Sequence, residues 1–260
     1  MPQKQPSSQD LIRVADALVP ALQSAGEVIL QLYAKPEHSV STKSDLSPVT
    51  DADLASHELL TQALAVITPD WPVISEEDQT IGGSTLGPYW LLDPLDGTKE
   101  FIARTGEFSI NLGLVVDHQA WFGLLYGPVR QILYRGGRDL PAQVRAFGET
   151  WRPIHCRPRP DDGGVLISSR RSAATPEGEV FANRVHLGSA LKFAEIAQGN
   201  ADFYLRRGPT MEWDTCAGQA ILEAAGGSVT ALGPNHQPTT IPLRYGKLAY
   251  LNSGFIARGG

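Results

Sequence analysis

The sequence predicts a layered α/β fold, and three observations lead to this prediction. A chain of 260 residues is long enough to bury a large core, either as one domain or as two closely packed lobes. Hydrophobic residues make up 42% of it and charged residues 19%, as is usual for soluble globular proteins. In the second half, strand-like segments alternate with helix-like segments, which is the pattern of layered α/β units.

The charge and the cysteine content exclude several classes of protein. A net charge of −6 argues against nucleic-acid binding, because such proteins are normally basic. An anionic small molecule is still allowed as a substrate, since bound cations reverse the local field. Cys156 and Cys216 have no metal-like spacing, which predicts neither a zinc site nor a disulfide. The polar N-terminus and the lack of about 18 consecutive apolar residues predict a cytoplasmic protein without a membrane span, with peripheral membrane association left open.

Helical periodicity and capping residues define the start of the chain. Its predicted segments are a flexible tail (1–9), a helix from Asp10 to Tyr33, a polar loop (43–53) and a second helix through Ile67. Pro20 predicts a kink or two helices in the first of these, and Thr50 or Asp51 is the expected cap of the second. The strands predicted next are Pro72–Ser75, Tyr89–Leu92, Phe108–Val116, Trp121–Tyr126 and Gln131–Tyr134.

The weakly patterned segment Gly136–Pro160 predicts a boundary near residue 150. It separates an N-terminal α+β lobe (10–150) from a C-terminal α/β lobe (151–260). The predicted helices of the second half are Thr175–Asn183, Ser189–Ala197 with Ser189 as its cap, and Asp214–Ala225. Its predicted strands are Val165–Ser168, Ala201–Leu205, Ser228–Ala231 and one near Leu248–Leu251.

Four acidic residues carry the strongest chemical signal. In WLLDPLDGTKEF an apolar strand ends in two aspartates, Asp93 and Asp96. Glu76 follows another predicted strand and Asp214 opens a predicted helix, so these carboxylates are expected at one edge of a sheet, where α/β ligand sites form. Two like charges about 4 Å apart repel by about 4 kcal/mol at an effective dielectric near 20. Such a cluster requires a counter-ion, and Mg²⁺ is a hard cation that prefers oxygen ligands.

The residues around the aspartates suggest a phosphate site. Gly97 allows a close backbone approach, and amides at the start of a short helix over Lys99–Ile102 can bind phosphate oxygens. The Thr98 hydroxyl can hydrogen-bond a water molecule, and Asp53 is the candidate partner for a proton relay. The carbonyl of Leu95, which lies between the aspartates, is a further candidate metal ligand.

Each of these residues also has a plainer interpretation. The segment Asp93–Gly97 could be an ordinary turn, because Asp, Pro and Gly favour turns. Glu76 could belong to a solvated acidic cluster, and Asp214 could serve only as a helix cap. Their joint occurrence, rather than any one of them, favours the metal site.

Two signatures resemble the lithium-sensitive, magnesium-dependent phosphomonoesterase superfamily typified by inositol monophosphatase. They are WLLDPLDGTKEF (90–101) and WDTCAGQAIL (213–222), with the glutamate of VISEED (73–78) upstream. The segments most similar to the bacterial 3′(2′),5′-bisphosphate nucleotidases of the CysQ type are SPVTDAD (47–53), GEFSINLGLV (106–115), LGSALKF (187–193) and LRRGPTMEWDTCAG (205–218). The resemblance spans residues 10–255 and implies an αβαβα layered sandwich with the active site between two lobes.

The resemblance also implies roles for individual residues. The implied ligands of two Mg²⁺ ions, with a third in some cases, are Glu76, Asp93, the Leu95 carbonyl, Asp96 and Asp214. The implied catalytic residues are Asp53, Glu76 and Thr98, which orient and deprotonate the attacking water. The implied substrate-binding residues are Glu76, Leu95, Asp96, Gly97, Thr98, Gly188, Ser189, Lys192, Arg206 and Asp214. Of these, Lys192 could instead be an exposed helix residue and Arg206 a surface salt-bridge partner.

The chain departs from the nucleotidases at Ser168-Ser169-Arg170-Arg171, where close relatives have Ser-Arg-Ser-His. A histidine is thus replaced by the fixed positive charge of Arg171. This charge could strengthen the binding of a second phosphate, or it could shift the substrate preference.

The activity that the resemblance implies is Mg²⁺-dependent hydrolysis of the 3′-phosphate of adenosine 3′,5′-bisphosphate to AMP and phosphate. The reaction would proceed by direct attack of water at a two-metal site. It would recycle a by-product of sulfate assimilation. An inositol or sugar monophosphatase on the same scaffold is the alternative. A non-catalytic nucleotide- or metal-binding module is disfavoured, because no implied ligand is missing. The expected partner is a small phosphate ester, and both a monomer and a homodimer stay open.

Overall fold

The structure, a computed structural model, describes residues 5–35, 40–42, 48–78, 87–170, 172, 175–176 and 178–260. The α-helices of these residues are α1 (Ser8–Tyr33), α2 (Asp51–Ile67), α3 (Thr98–Ile102), α4 (Leu191–Ala197) and α5 (Cys216–Ala224). Two short 3₁₀ helices follow at Pro234–His236 and Leu248–Tyr250. Among the described helices, none combines the length and the apolar character that a membrane crossing requires.

The strands of the described residues form two large sheets and two small ladders. The ladders pair β1 (Val40–Thr42) with β2 (Pro48–Thr50), and β13 (Thr210–Met211) with β16 (Leu251–Asn252). The first sheet contains, in spatial order, β3 (Val73–Ser75), β4 (Tyr89–Asp96), β5 (Ser109–Val116), β6 (Gln119–Gly127), β7 (Ile132–Gly137), β8 (Leu140–Ala146) and β9 (Arg152–Pro153). The second contains, in spatial order, β11 (Asn183–His186), β10 (Val165–Ser168), β12 (Phe203–Arg206), β17 (Phe255–Arg258), β14 (Ser228–Leu232) and β15 (Pro238–Pro242).

Helix and sheet layers alternate, which confirms the predicted layered α/β fold. Helices α1 and α2 pack on one face of the first sheet, where Leu18 and Leu60 meet Trp90 in a shared apolar core. Helices α4 and α5 lie between the two sheets, in a second core that includes Phe193 and Ile221. The outer face of the second sheet carries a smaller apolar cluster. Among the described residues, Phe181 packs against this cluster, and no helix does.

The two N-terminal helices are capped by their own sequence. Ser7 and Asp10 form a capping box that starts α1 at Ser8, so the helix begins earlier than predicted and runs as one element through Pro20. Residues 1–4 of the predicted tail lie outside the described residues. Thr50 caps α2, as predicted, and Asp53 completes its capping box.

The predicted helix over Thr175–Asn183 is wrong. The described part of Thr175–Asn183 contains no helix, because Pro176 and Gly178 interrupt it and Gly178 has a φ of +74°. Asn183 instead begins β11, which pairs in parallel with β10. The weakly patterned segment Gly136–Pro160 supplies β8 and β9 to the first sheet. The division into lobes at residue 150 stays a prediction.

Candidate metal and phosphate site

The parallel pairing of β3 with β4 brings Glu76 next to Asp93. Ser75 is the register partner of Leu92, and the Glu76 amide donates a hydrogen bond to the Leu92 carbonyl at 3.0 Å. The next residues, Glu76 and Asp93, therefore place their carboxylates at the same edge of the sheet. The short strand that ends at Ser75 thus places the upstream glutamate beside the aspartate segment.

Strand β4 continues past its predicted end at Leu92 and reaches Asp96, with an irregular register between Asp93 and Asp96. Pro94 lies in this bulge, where its missing N–H costs no ladder hydrogen bond. Its carbonyl accepts a hydrogen bond from Ser56 at 2.8 Å. The backbone amide of Leu95 donates to Oδ1 of Asp93 at 3.0 Å. The predicted turn is therefore a bulge within a strand, anchored to α2.

Asp214 joins these carboxylates from a distant position in the sequence. The prediction that it caps a helix is wrong. Helix α5 begins at Cys216, and its cap residue is Thr215. The Asp214 carboxylate instead accepts hydrogen bonds from the Thr210 hydroxyl and, at 3.1 Å, from the Met211 amide. These two donors turn the side chain back toward β13 and away from the first turn of α5.

Three carboxylates meet in a group that fits a hard cation. One oxygen from each of Glu76, Asp93 and Asp214 lies within 4.8 Å of the others. Burial and the nearby charge of Glu76 raise the pKa of Asp93 well above its usual range. Burial and the charges of Asp96 and Glu76 raise the pKa of Asp214 to about 7. These charges repel one another in a desolvated position, and a divalent cation with oxygen ligands would neutralise them.

Asp96 lies beside this group but not within it. Its Oδ2 accepts hydrogen bonds from Nδ2 of Asn111 at 3.1 Å and from the Ala190 amide. Burial raises the pKa of Asp96, although the positive charge of Lys192 and both hydrogen bonds act in the opposite direction. Asp96 also contributes to the raised pKa of Asp93, so it belongs to the same electrostatic cluster.

Thr98 and Asp53 are in contact next to the carboxylates. The Thr98 hydroxyl donates to Oδ1 of Asp53 at 3.1 Å, while Oδ2 of Asp53 accepts from the Thr50 amide at 2.8 Å. Gly97, with a φ of +100°, precedes the short helix α3, which starts at Thr98. A side chain at Gly97 would be strained in this conformation, and its Cβ would lie 3.1 Å from the Glu107 carbonyl.

A cavity of about 280 Å³ opens beside these residues. The predicted site residues that line it are Asp96, Gly97, Gly188, Ser189, Lys192, Arg206 and Asp214. Arg206 is half-buried at the cavity wall, and its guanidinium donates to the Pro209 carbonyl at 3.1 Å. Ser189 is not the cap of α4, because the helix begins at Leu191 and Ser189 has a φ of +53°.

Lys192 is buried, with only 4% of its surface exposed, which contradicts the alternative of an exposed helix residue. Its ammonium donates to the carbonyls of Leu187, at 3.3 Å, and Ser189. It also lies 5.0 Å from the ring centre of Tyr204. The lysine therefore holds the loop 187–190 as well as lining the cavity.

Sequence reasoning gave no role to two residues that contact this site. Asn111 binds Asp96, and Glu107 accepts hydrogen bonds from the Gly188 amide at 3.0 Å and from Arg170. Both residues lie in GEFSINLGLV, a segment that supported the family resemblance without a function of its own. A polar residue in an otherwise apolar strand was the available signal for Asn111. Arg171 lies outside the described residues.

Comparisons with known proteins identify the family of this chain. The model of the inositol monophosphatase family matches residues 10–259. The chain belongs to the inositol monophosphatase family. It is 38% identical over 257 residues to the 3′(2′),5′-bisphosphate nucleotidase CysQ of Escherichia coli (strain K12), covering 92% of this chain and 97% of that protein. It is 34% identical to the protein of the same name from Buchnera aphidicola, covering 94% and 93%.

Solved structures of this family share the fold. The structure of CysQ from Bacteroides thetaiotaomicron matches with a TM-score of 0.74 and 33% identity, covering 94% of this chain and 96% of that one. The inositol monophosphatase from Anabaena (Nostoc) sp. PCC 7120 matches with a TM-score of 0.73 and 26% identity, covering 96% and 92%. The family's layered architecture is therefore present over nearly the whole chain.

Proposed function

We propose that this protein is a Mg²⁺-dependent phosphomonoesterase that hydrolyses the 3′-phosphate of adenosine 3′,5′-bisphosphate to AMP and phosphate. The observation that carries the proposal is the convergence of Glu76, Asp93 and Asp214, with oxygens within 4.8 Å of one another. The hydrogen bond between Thr98 and Asp53 lies next to this group. The similarity to CysQ nucleotidases over most of the chain supports the choice of substrate.

The proposed Mg²⁺ ligands are Glu76, Asp93, Asp214, Asp96 and the Leu95 carbonyl, which would hold two ions and in some states a third. When bound, the ions supply Lewis acidity that polarises the phosphate ester and stabilises charge that develops on it. The oxygen-only donor set suits a hard cation of this kind. The buried position of Asp93 explains why the site needs such a cation.

The pair Thr98 and Asp53 would orient the attacking water. The Thr98 hydroxyl donates a hydrogen bond to Asp53. The hydroxyl oxygen of Thr98 can therefore accept a hydrogen bond from a water molecule. That bond directs a lone pair of the water toward phosphorus, and Glu76 would accept a proton as attack proceeds. The new P–O bond forms as the bond to the 3′-oxygen breaks, and that oxygen takes up a proton from solvent as AMP leaves, so no covalent enzyme intermediate forms.

The cavity would hold the nucleotide. Arg206 offers a positive charge at the cavity wall, which suits the 5′-phosphate of a bisphosphate substrate. Gly188 and Ser189 line the same cavity, on a loop that Lys192 holds through two backbone carbonyls. Binding of a second phosphate at this wall would allow the enzyme to distinguish a bisphosphate substrate from simple monophosphates.

A kinetic panel with Mg²⁺ tests the choice of substrate. We expect kcat/KM for adenosine 3′,5′-bisphosphate to exceed the values for inositol 1-phosphate and fructose 1,6-bisphosphate. A higher value for inositol 1-phosphate would favour the alternative, an inositol monophosphatase on the same scaffold. Absence of phosphate release from all three substrates would favour a non-catalytic binding module.

A further inference from the structure

Asn111 is a buried polar residue on β5, the strand next to the aspartate bulge of β4. It has no exposed surface, and the register places it opposite Asp93, with Ser109 opposite Asp96. Its amide nitrogen nevertheless donates to Oδ2 of Asp96, at 3.1 Å. Since a buried amide without a hydrogen-bond partner is costly, this bond fixes both side chains.

Ser109 determines which way the Asn111 amide faces. The Ser109 hydroxyl, which is also fully buried, donates to Oδ1 of Asn111 at 2.9 Å. The reverse orientation of the amide would set Oδ1 of Asn111 against Oδ2 of Asp96, and two acceptors would then repel each other. The hydroxyl and the carboxylate therefore select one amide orientation together.

Both donors to Asp96 use the same carboxylate oxygen. Asn111 and the Ala190 amide bond to Oδ2, and neither bond uses Oδ1. Two hydrogen bonds on one oxygen restrict the rotation of the carboxylate. The other oxygen, Oδ1, takes part in neither of these bonds.

We propose that Asn111, held by Ser109, is a positioning residue that orients Asp96 and thereby raises the affinity of the site for divalent cations. The inference rests on the proposed metal-dependent function and deepens it. The ordinary alternative is that Ser109 and Asn111 only satisfy each other in the core. In that case their loss would lower stability without a specific effect on metal binding.

The test measures Mn²⁺ affinity by electron paramagnetic resonance or calorimetry in the full chain without substrate. Asn111→Leu keeps the side-chain size and removes the donor, and we expect its Kd for Mn²⁺ to rise about 10- to 100-fold, as is typical when an outer hydrogen bond to a metal ligand is lost. Ser109→Ala keeps the donor and removes only the orienting hydroxyl, so we expect a smaller rise. Melting curves in EDTA establish that each variant is folded.

Thr68→Val is the matched control, because Thr68 is buried and accepts a hydrogen bond from Trp90 at 3.0 Å. It lies about 22 Å along α2 from Asp53, and we expect lower stability with unchanged Mn²⁺ affinity. A folded Asn111→Leu with wild-type affinity would overturn the inference. Should Asn111→Leu fail to fold, unchanged affinity in Ser109→Ala would overturn it.

The two proposals can fail separately in this experiment. Wild-type protein that binds Mn²⁺ but hydrolyses no phosphate ester would contradict the proposed function, while a weakened Asn111→Leu would still support the positioning role. Normal hydrolysis by the wild type together with unchanged Mn²⁺ affinity in both variants would contradict the positioning role alone.

Discussion

The hydroxyl of Thr98 donates a hydrogen bond to Oδ1 of Asp53 at 3.1 Å, across 45 residues of sequence. The other carboxylate oxygen of Asp53 accepts from Thr50 and completes the capping box of α2. One carboxylate thus holds the start of a helix and the proposed water-orienting hydroxyl. Because changes at Asp53 would disturb both, Thr98 is the cleaner place to test the relay.

Thr98→Val should lower kcat about 10²- to 10⁴-fold, the usual contribution of positioned proton transfer, because valine retains the shape and loses the hydroxyl. KM and Tm should change little, since α2 keeps its cap. Thr98→Ser retains the hydroxyl and should recover most of the activity. Steady-state kinetics of the three proteins check this, and a Thr98→Val enzyme within a few-fold of wild type would rule out the relay.

The metal-free protein should lose stability as pH rises. Burial and the charges of Asp96 and Glu76 raise the pKa of Asp214 from 3.8 to about 7. Because the folded-state pKa is raised, the protonated carboxyl stabilises the fold, and this contribution disappears as pH rises through that interval. In EDTA, the Tm of Asp214→Asn minus that of wild type should therefore increase from pH 4 to pH 8.

Mg²⁺ should reduce this difference, because a bound cation neutralises the carboxylates. Thermal melts of both proteins across the pH range, with EDTA or with Mg²⁺, provide the measurement. A difference in EDTA that stays flat or shrinks with rising pH would show that Asp214 is not a destabilising charge in the metal-free protein.

Arg206→Gln should weaken the binding of a substrate with two phosphates. We expect KM for adenosine 3′,5′-bisphosphate to rise about 10- to 100-fold, the effect of losing a hydrogen bond between charged groups. KM for adenosine 3′-monophosphate, which lacks the 5′-phosphate, should change much less. The neighbouring Arg207→Gln is the matched control, since Arg207 is exposed and donates to the Thr175 carbonyl. Equal losses on both substrates would remove Arg206 from the proposed 5′-phosphate contact.

Gly188→Ala should displace the loop that lines the cavity. An added Cβ would lie 2.5 Å from the Glu107 carbonyl oxygen and 2.7 Å from Cγ of Glu100. The backbone cannot yield easily at such a contact, so we expect a cost of about 1–3 kcal/mol, seen as higher KM and lower Tm. Gly208→Ala, which would meet nothing within 4 Å, serves as the control. Wild-type KM in Gly188→Ala would show that the loop position does not matter.

Local patterns allowed part of this site to be predicted from sequence. Thr50 followed by Asp53 is a capping-box pattern, so the start of α2 is encoded within four residues. The strands before Glu76 and Asp93 are short apolar runs, and their ends meet because neighbouring strands share an edge. The family resemblance linked Thr98 to Asp53, a contact between distant segments that no local pattern defines.

Tertiary contacts determine the features that sequence reasoning missed. Aspartate is a common helix cap, which is why the sequence predicts this role for Asp214. Its carboxylate instead accepts hydrogen bonds from the Thr210 hydroxyl and the Met211 amide. In the sequence, Asn111 is only a polar residue in an apolar strand. Its hydrogen-bond partner, Asp96, comes within reach because of the bulge in the neighbouring strand. Such competition between hydrogen-bond partners depends on the fold as a whole.

The most direct test of the account is the rate of phosphate release from adenosine 3′,5′-bisphosphate by wild type and Asp93→Asn at saturating Mg²⁺. Asparagine keeps the side-chain shape and removes a buried negative charge, so the variant should remain folded. We predict Mg²⁺-dependent release of phosphate and AMP by wild type, and a loss of several orders of magnitude in the variant. Equal rates for the two proteins would contradict the central claim that the carboxylate group holds the catalytic metal.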